Sequence, residues 1–156
     1  MNQHIVYIGL GSNLGDGPKN LDKAVALLQK EAGEVLYTST YIESEPWGFQ
    51  SEHRFTNAVT VIRTALEPMA LLDLTQQIER RMGRIRKRRR GEGYSDRVID
   101  LDLLVYDDLQ LETERLILPH PHIAERDFVR FPLEECQTFM RNANLSSDSN
   151  ELSIIN

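Results

Sequence analysis

The sequence predicts an α+β sandwich in which helices pack on a mainly antiparallel sheet. Two observations lead there. Some segments run as short apolar or alternating stretches bounded by Gly, Asn and Pro, while others repeat apolar residues every three or four positions. In chain order these segments read β-α-β-β-α-β-β, the order of a ferredoxin-like sandwich. A length of 156 residues fits a single core, so we expect one domain over residues 1–140 and a polar tail over 141–156.

The first strand is expected over His4 to Leu10, carried by Ile5, Val6, Tyr7, Ile8 and Leu10. A turn rich in Gly and Asn follows, and its glycines are read as allowing a tight strand-to-helix reversal. From Pro18, residues Leu21, Ala24, Val25 and Leu28 recur at helical spacing, with Gly33 as a left-handed cap. Val35 to Ile42 is the second strand. Pro46 to His53 lacks any period and reads as a loop, after which Phe55 to Arg63 forms a strand. Pro68 suits a first helical turn, Leu71, Leu74, Ile78 and Met82 share a helix face, and Gly83 can stop it. Val98 to Tyr106 is the next strand, and Asp107-Asp108 is expected to turn it into a hairpin with Leu109 to Leu111. Beyond Leu133 the composition becomes polar, and Arg141 to Asn150 reads as a frayed tail.

No apolar run reaches the roughly 20 residues of a membrane helix, and the first residues lack a secretory signal pattern. The single cysteine, Cys136, excludes an internal disulfide. A soluble cytoplasmic protein is expected. The net charge of −6 is unevenly spread: Arg80 to Arg97 holds nine of the 18 Lys and Arg residues and only two acids. The rest of the chain is therefore strongly acidic, which favours a compact polyanionic ligand over a long nucleic acid.

Strand alternation places Asp100 and Asp102 on one face, with Leu101, Leu103 and Val105 on the other. Two carboxylates so placed repel unless a cation or a donor compensates. Hard oxygen donors at this spacing suit Mg²⁺, although for the pair alone an exposed strand with two solvated aspartates is the better reading. The basic segment directly upstream adds arginines, and metal with arginines is a phosphoryl-transfer constellation. Gly9 to Gly15 matches neither a dinucleotide fingerprint nor a Walker loop. His120 and His122 flank Pro121 without the neighbours a zinc site needs. A metal-dependent nuclease and an RNA-binding module are the rival readings, and the acidic remainder of the chain weighs against both.

Gly9-x-Gly11-Ser12-Asn13-x-Gly15, Glu45-Pro46-Trp47-Gly48, Phe55-x-Asn57-Ala58, Gly83-Arg84-x-Arg86, Arg97-Val98-Ile99-Asp100-Leu101-Asp102 and Pro119-His120 occur in this order. Together they resemble the 6-hydroxymethyl-7,8-dihydropterin pyrophosphokinase family over about residues 5–134. The resemblance implies pyrophosphate transfer from ATP to the pterin hydroxymethyl group, with AMP released, in folate biosynthesis. It implies that Asp100 and Asp102 hold two Mg²⁺ ions and that Arg84 and Arg97 act with them in catalysis. It implies a pterin pocket of Ser44, Pro46, Trp47, Phe55, Asn57 and Phe128. For ATP it implies Gln76, Glu79, Arg84, Arg86, Arg97, Leu103, Arg115, His120 and Arg126. It also implies a catalytic loop over Lys87 to Asp96, which here departs from the family form and leaves open which of Arg88, Arg89, Arg90 or Tyr94 acts. A monomer without nucleic-acid or membrane partners is expected.

Overall fold

Residues 2–45, 54–83 and 97–144 are described by the computed structural model. The elements run β1 (His4–Ser12), α1 (Gly17–Glu31), β2 (Glu34–Thr38), β3 (Ile42–Ser44), β4 (Phe55–Thr64), α2 (Pro68–Arg81), β5 (Asp100–Tyr106), β6 (Leu111–Glu112), β7 (Ile117–Leu118) and α3 (Asp127–Ala143). The main sheet has the order β2-β4-β1-β5, with β3 also paired to β4, and every pairing is antiparallel. This is the expected ferredoxin-like core.

Each strand faces two apolar layers, because successive side chains point to opposite sides. Val6, Ile8 and Leu10 pack with Leu21, Ala24 and Leu28 of α1 and with Leu71 and Ile78 of α2. Ile5, Tyr7, Val59 and Val61 face the other way, onto Leu133, Cys136 and Met140 of α3. The sheet is therefore covered by helices on both faces.

The helix α3 is an element that the expected order lacks, and its end runs into the segment read as a frayed tail. Pro132 lies inside it and masks the pattern, yet Val129, Leu133, Cys136 and Met140 recur at helical spacing. Pro132 is the sixth residue of α3, past the first turn, so the helix continues through it at the cost of one i→i−4 hydrogen bond, the one to the Phe128 carbonyl. The helix passes residue 140 and ends at Asn144, whose left-handed φ of 57° caps it.

Four further local expectations are corrected. The segment 35–42 is not one strand: β2 and β3 are separated by Ser39 to Tyr41. Gly33 is not a left-handed cap, since Ala32 closes α1 in the right-handed region. Gly33 is needed for space, because a Cβ there would lie 2.1 Å from the Arg63 carbonyl oxygen. The short strand after Asp107 pairs with β7, not with β5; a hairpin onto β5 is replaced by a separate two-stranded sheet. Finally, the register of β1 and β5 shifts between Tyr7 and Ile8, so Leu104 is an extra residue that inverts the alternation. Leu101 and Leu103 face α1 and α2 as expected, but Leu104 and Val105 pack on the α3 side. Among the described residues, no helix is long and apolar enough to cross a membrane.

Candidate active site

The α3 face of the sheet is not fully covered. At the end of the sheet where α3 begins, a cleft of about 530 Å³ opens to solvent. Its floor is a row across three strands. Asp100 on β5 pairs with Gly11 on β1, and Gly11 pairs with Asn57 on β4. Adjacent strands lie about 4.8 Å apart, so Asp100 and Asn57 stand roughly 10 Å from each other across a residue with no side chain. Gly9 repeats the arrangement opposite Asp102.

Gly9 and Gly11 therefore do not make the strand-to-helix turn. Both lie inside β1, which runs two residues further than expected, and of this glycine run only Gly15, with φ 73°, has turn geometry. A Cβ on Gly11 would sit 3.5 Å from Asn57 Oδ1 and 3.6 Å from the Phe55 ring, occupying the cleft floor. The signal was present as two glycines at strand period directly after a buried strand.

Phe55 and Asn57 share a face of β4, and Phe128 comes from the first turn of α3; all three line the cleft. Asn57 Nδ2 donates to Ser44 Oγ at 2.8 Å, which fixes the amide's orientation and ties β3 to the pocket. Each aromatic wall carries a cation. The Arg97 guanidinium carbon is 5.4 Å from the Phe55 ring centre, and that of Arg126 is 6.0 Å from the Phe128 ring centre.

Arg97 is 5% exposed. Its Nη1 lies 3.5 Å from Asp100 Oδ2. Its main chain is locked by Asn13, whose Oδ1 accepts from Arg97 N at 2.8 Å and whose N–H donates to the Arg97 carbonyl at 3.0 Å. Asn13 was not singled out individually from sequence. Behind the aspartates, the Leu101 N–H donates to Glu79 Oε2 at 2.7 Å, so a buried carboxylate of α2 holds the strand between Asp100 and Asp102.

The remaining sites expected for ATP divide into groups. Arg115 donates to Gln76 Oε1 at 3.3 Å and to Asp73 at 2.6 Å, joining the β6–β7 hairpin to α2. His120 follows β7, and its N–H donates to the Leu104 carbonyl at 2.8 Å along the outer edge of β5. Leu103 has its side chain in the core, 2% exposed. Pro46, Trp47, Arg84, Arg86 and the segment Lys87 to Asp96 lie outside the described residues.

An α+β sandwich with a carboxylate pair, a buried arginine and two aromatic walls in one open cleft is the architecture of a small-molecule site rather than of an extended polymer-binding face. Residues 7–138 match the family model of 7,8-dihydro-6-hydroxymethylpterin-pyrophosphokinase, and the chain belongs to that family. A 2-amino-4-hydroxy-6-hydroxymethyldihydropteridine pyrophosphokinase of Porphyromonas gingivalis is 46% identical over 132 residues, covering 84% of this chain and 89% of that protein. The Bacillus subtilis protein of the same name is 43% identical over 150 residues, covering 95% and 87%. A solved structure described as HPPK-DHPS in complex with substrates superposes with a TM-score of 0.62 at 15% identity, over 86% of this chain and 40% of that one. The triple-mutant HPPK-DHPS of Plasmodium falciparum gives 0.59 at 16% identity, over 80% and 37%. The chain spans about two fifths of those solved chains, and the likeness at such identity concerns the fold.

Proposed function

We propose that the chain transfers the pyrophosphoryl group of ATP to the hydroxymethyl group of 6-hydroxymethyl-7,8-dihydropterin in folate biosynthesis. One observation carries the reading beyond family membership: the Asp100–Gly11–Asn57 row, which sets an acidic site and a polar amide on opposite sides of a side-chain-free gap. The pterin lies between Phe55 and Phe128, with its polar edge on Asn57, Ser44, Pro46 and Trp47. Flat aromatic faces and a fixed amide are apt partners for a flat heterocycle. The triphosphate lies over Asp100 and Asp102, and Gln76, Glu79, Arg84, Arg86, Leu103, Arg115, His120 and Arg126 complete the nucleotide site. Leu103 takes part through its main chain.

The donor set fits magnesium. Asp100 and Asp102 supply hard oxygens facing an open cleft, and among the described residues no group of three or more His, Cys, Asp or Glu forms a ready-made cage. Mg²⁺ characteristically keeps waters and takes further ligands from phosphates. Two bound ions would neutralise and orient the triphosphate.

The substrate hydroxyl oxygen attacks the β-phosphorus; the bond from that phosphorus to the α,β-bridging oxygen breaks, and AMP leaves. The hydroxyl proton is released to solvent water as the new O–P bond forms, and AMP keeps the bridging oxygen. Arg84 and Arg97 stabilise the charge that develops on the transferred group. Arg97 is held ready for this by Asn13. Positioning is the main contribution of the cleft, since the two reactants are held on one rigid sheet. The enzyme works as a cytoplasmic monomer, with residues 1–144, through the end of α3, as its catalytic unit.

Incubation with ATP, Mg²⁺ and reduced hydroxymethylpterin, followed by identification of the released nucleotide, tests the reading. Pterin-dependent AMP is expected. ADP, or no nucleotide product, would overturn it.

A further inference from the structure

The edge of the sheet beside β4 contains a kink over Ser39 to Tyr41. Thr38 pairs with Thr60 and Ile42 with Asn57, so Ser39, Thr40 and Tyr41 stand opposite only Ala58 and Val59. Ser39 absorbs the mismatch on the sheet side. Its N–H donates to the Val59 carbonyl at 2.8 Å, its hydroxyl accepts from the Val59 N–H at 3.0 Å, and it donates to the Thr40 carbonyl at 3.1 Å.

Glu135 of α3 absorbs it on the other side. The Thr40 N–H donates to both carboxylate oxygens at 3.1 Å, the Thr40 hydroxyl donates at 3.4 Å, and the Tyr37 hydroxyl donates at 2.7 Å. Tyr37 is itself stacked on Phe139 of α3, with ring centres 4.3 Å apart and planes 12° from parallel. A main-chain N–H bonded to a carboxylate is a charge-assisted contact, stronger than an ordinary ladder bond.

The two elements joined by Glu135 are the two that frame the pterin pocket. Seven residues before Glu135, two helical turns on the same face, α3 carries Phe128. Four residues after Thr40, β3 carries Ser44, which accepts from Asn57. We infer that Glu135 is a positioning residue for the pterin: by clamping the Thr40 kink to α3, it sets the separation between Phe128 and the Ser44–Asn57 pair. This rests on the pterin assignment proposed above. Glu135 touches none of the reacting atoms, so its loss acts on pterin affinity and leaves the nucleotide site as it is.

The test uses the full chain and its Glu135→Ala, Glu135→Asp and Glu135→Gln variants. Binding of fluorescent 6-hydroxymethylpterin is titrated with and without a non-hydrolysable ATP analogue and Mg²⁺, and kcat and KM are measured for both substrates. Glu135→Ala is expected to weaken pterin binding and raise its KM about tenfold, with kcat and the KM for ATP within about threefold of the parent. Glu135→Asp keeps the charge but withdraws it by one methylene, and is expected to behave like Glu135→Ala; it carries the test if the alanine variant does not fold. Glu135→Gln, whose amide oxygen still accepts from Thr40, should stay within threefold of the parent. The Tyr37 phenol is held above its usual range first by its hydrogen bond to Glu135, so ultraviolet titration of Glu135→Ala should show one tyrosine ionising at lower pH. Pterin affinity within twofold of the parent in the folded alanine or aspartate variant overturns the inference, as does a parallel loss of ATP affinity. A parent chain that neither binds the pterin nor releases AMP instead overturns the proposed function.

Discussion

Asn13 and Arg97 hold each other by two hydrogen bonds, Arg97 N–H to the side-chain Oδ1 of Asn13 at 2.8 Å and Asn13 N–H to the Arg97 carbonyl at 3.0 Å. The pair links the end of β1 to the start of the segment that carries the aspartates. The Arg97 side chain reaches Asp100 from this anchor.

Asn13→Ala removes the acceptor and leaves a buried N–H without it, at a cost of about 1–3 kcal/mol. Because Arg97 is then less firmly aimed, kcat should fall roughly tenfold to a hundredfold. Thermal unfolding and steady-state kinetics on the same preparation check both halves. Wild-type kcat with a lowered melting temperature would confine Asn13 to stability.

Asp100→Asn and Asp102→Asn preserve shape and remove charge. Each should lower kcat by about 10²–10³ and raise the Mg²⁺ concentration needed for half-maximal rate. Excess EDTA should abolish turnover of the parent, and added Mg²⁺ should restore it. Activity indifferent to EDTA would remove the metal from the proposal.

Gly11→Val places two methyl groups over the cleft floor, where a Cβ alone already lies 3.5 Å from Asn57 Oδ1. A β-branched residue suits a strand, so the fold should survive. Pterin affinity should drop at least about tenfold, because the added volume occupies the gap between Asp100 and Asn57. Fluorescence titration of the pterin reads this directly, and unchanged affinity would show that the gap is not where the ring lies.

Gly33→Ala has the opposite signature. A Cβ 2.1 Å from the Arg63 carbonyl oxygen forces α1 and β4 apart, at roughly 1–3 kcal/mol for overpacking. The melting temperature should fall by several degrees, while KM values stay near those of the parent.

Alkaline pH should destabilise the fold chiefly through three buried groups. Burial, foremost, pushes the Cys136 thiol from 9.0 up to about 12, and likewise the Tyr7 and Tyr106 phenols from 10.0 up to about 12. In the native state Cys136 donates to the Val59 carbonyl at 3.2 Å, which requires the thiol form. A folded-state pKa above the unfolded one favours the native state below the unfolded value and loses that contribution as pH rises through the folded value. Stability should therefore decline from about pH 9 towards pH 12. Urea midpoints at pH 7, 9, 10 and 11 measure the decline, and Cys136→Ala should make it shallower.

The alternation of β1, the helical periods of α1 and α2, and Asp100 and Asp102 on one face of β5 were all legible along the chain, because each is a local pattern of two to four residues. The third helix was obscured by Pro132, although its period persisted. The motifs also sufficed to indicate the family, since their order is written in one dimension. What the sequence alone determined is thus the element order, the ferredoxin-like core and the residue types available for chemistry. Only the tertiary structure decided that Gly9 and Gly11 are a cleft floor, that Asn13 anchors Arg97, that Leu104 inverts the phase of β5, and that Glu135 reaches the kink at Thr40. Each of these depends on which strand lies beside which, and in what register. Such pairings join residues as far apart as Asn13 and Arg97, or Thr40 and Glu135, through the packing of the sheet and the helices on it, and no local periodicity records them.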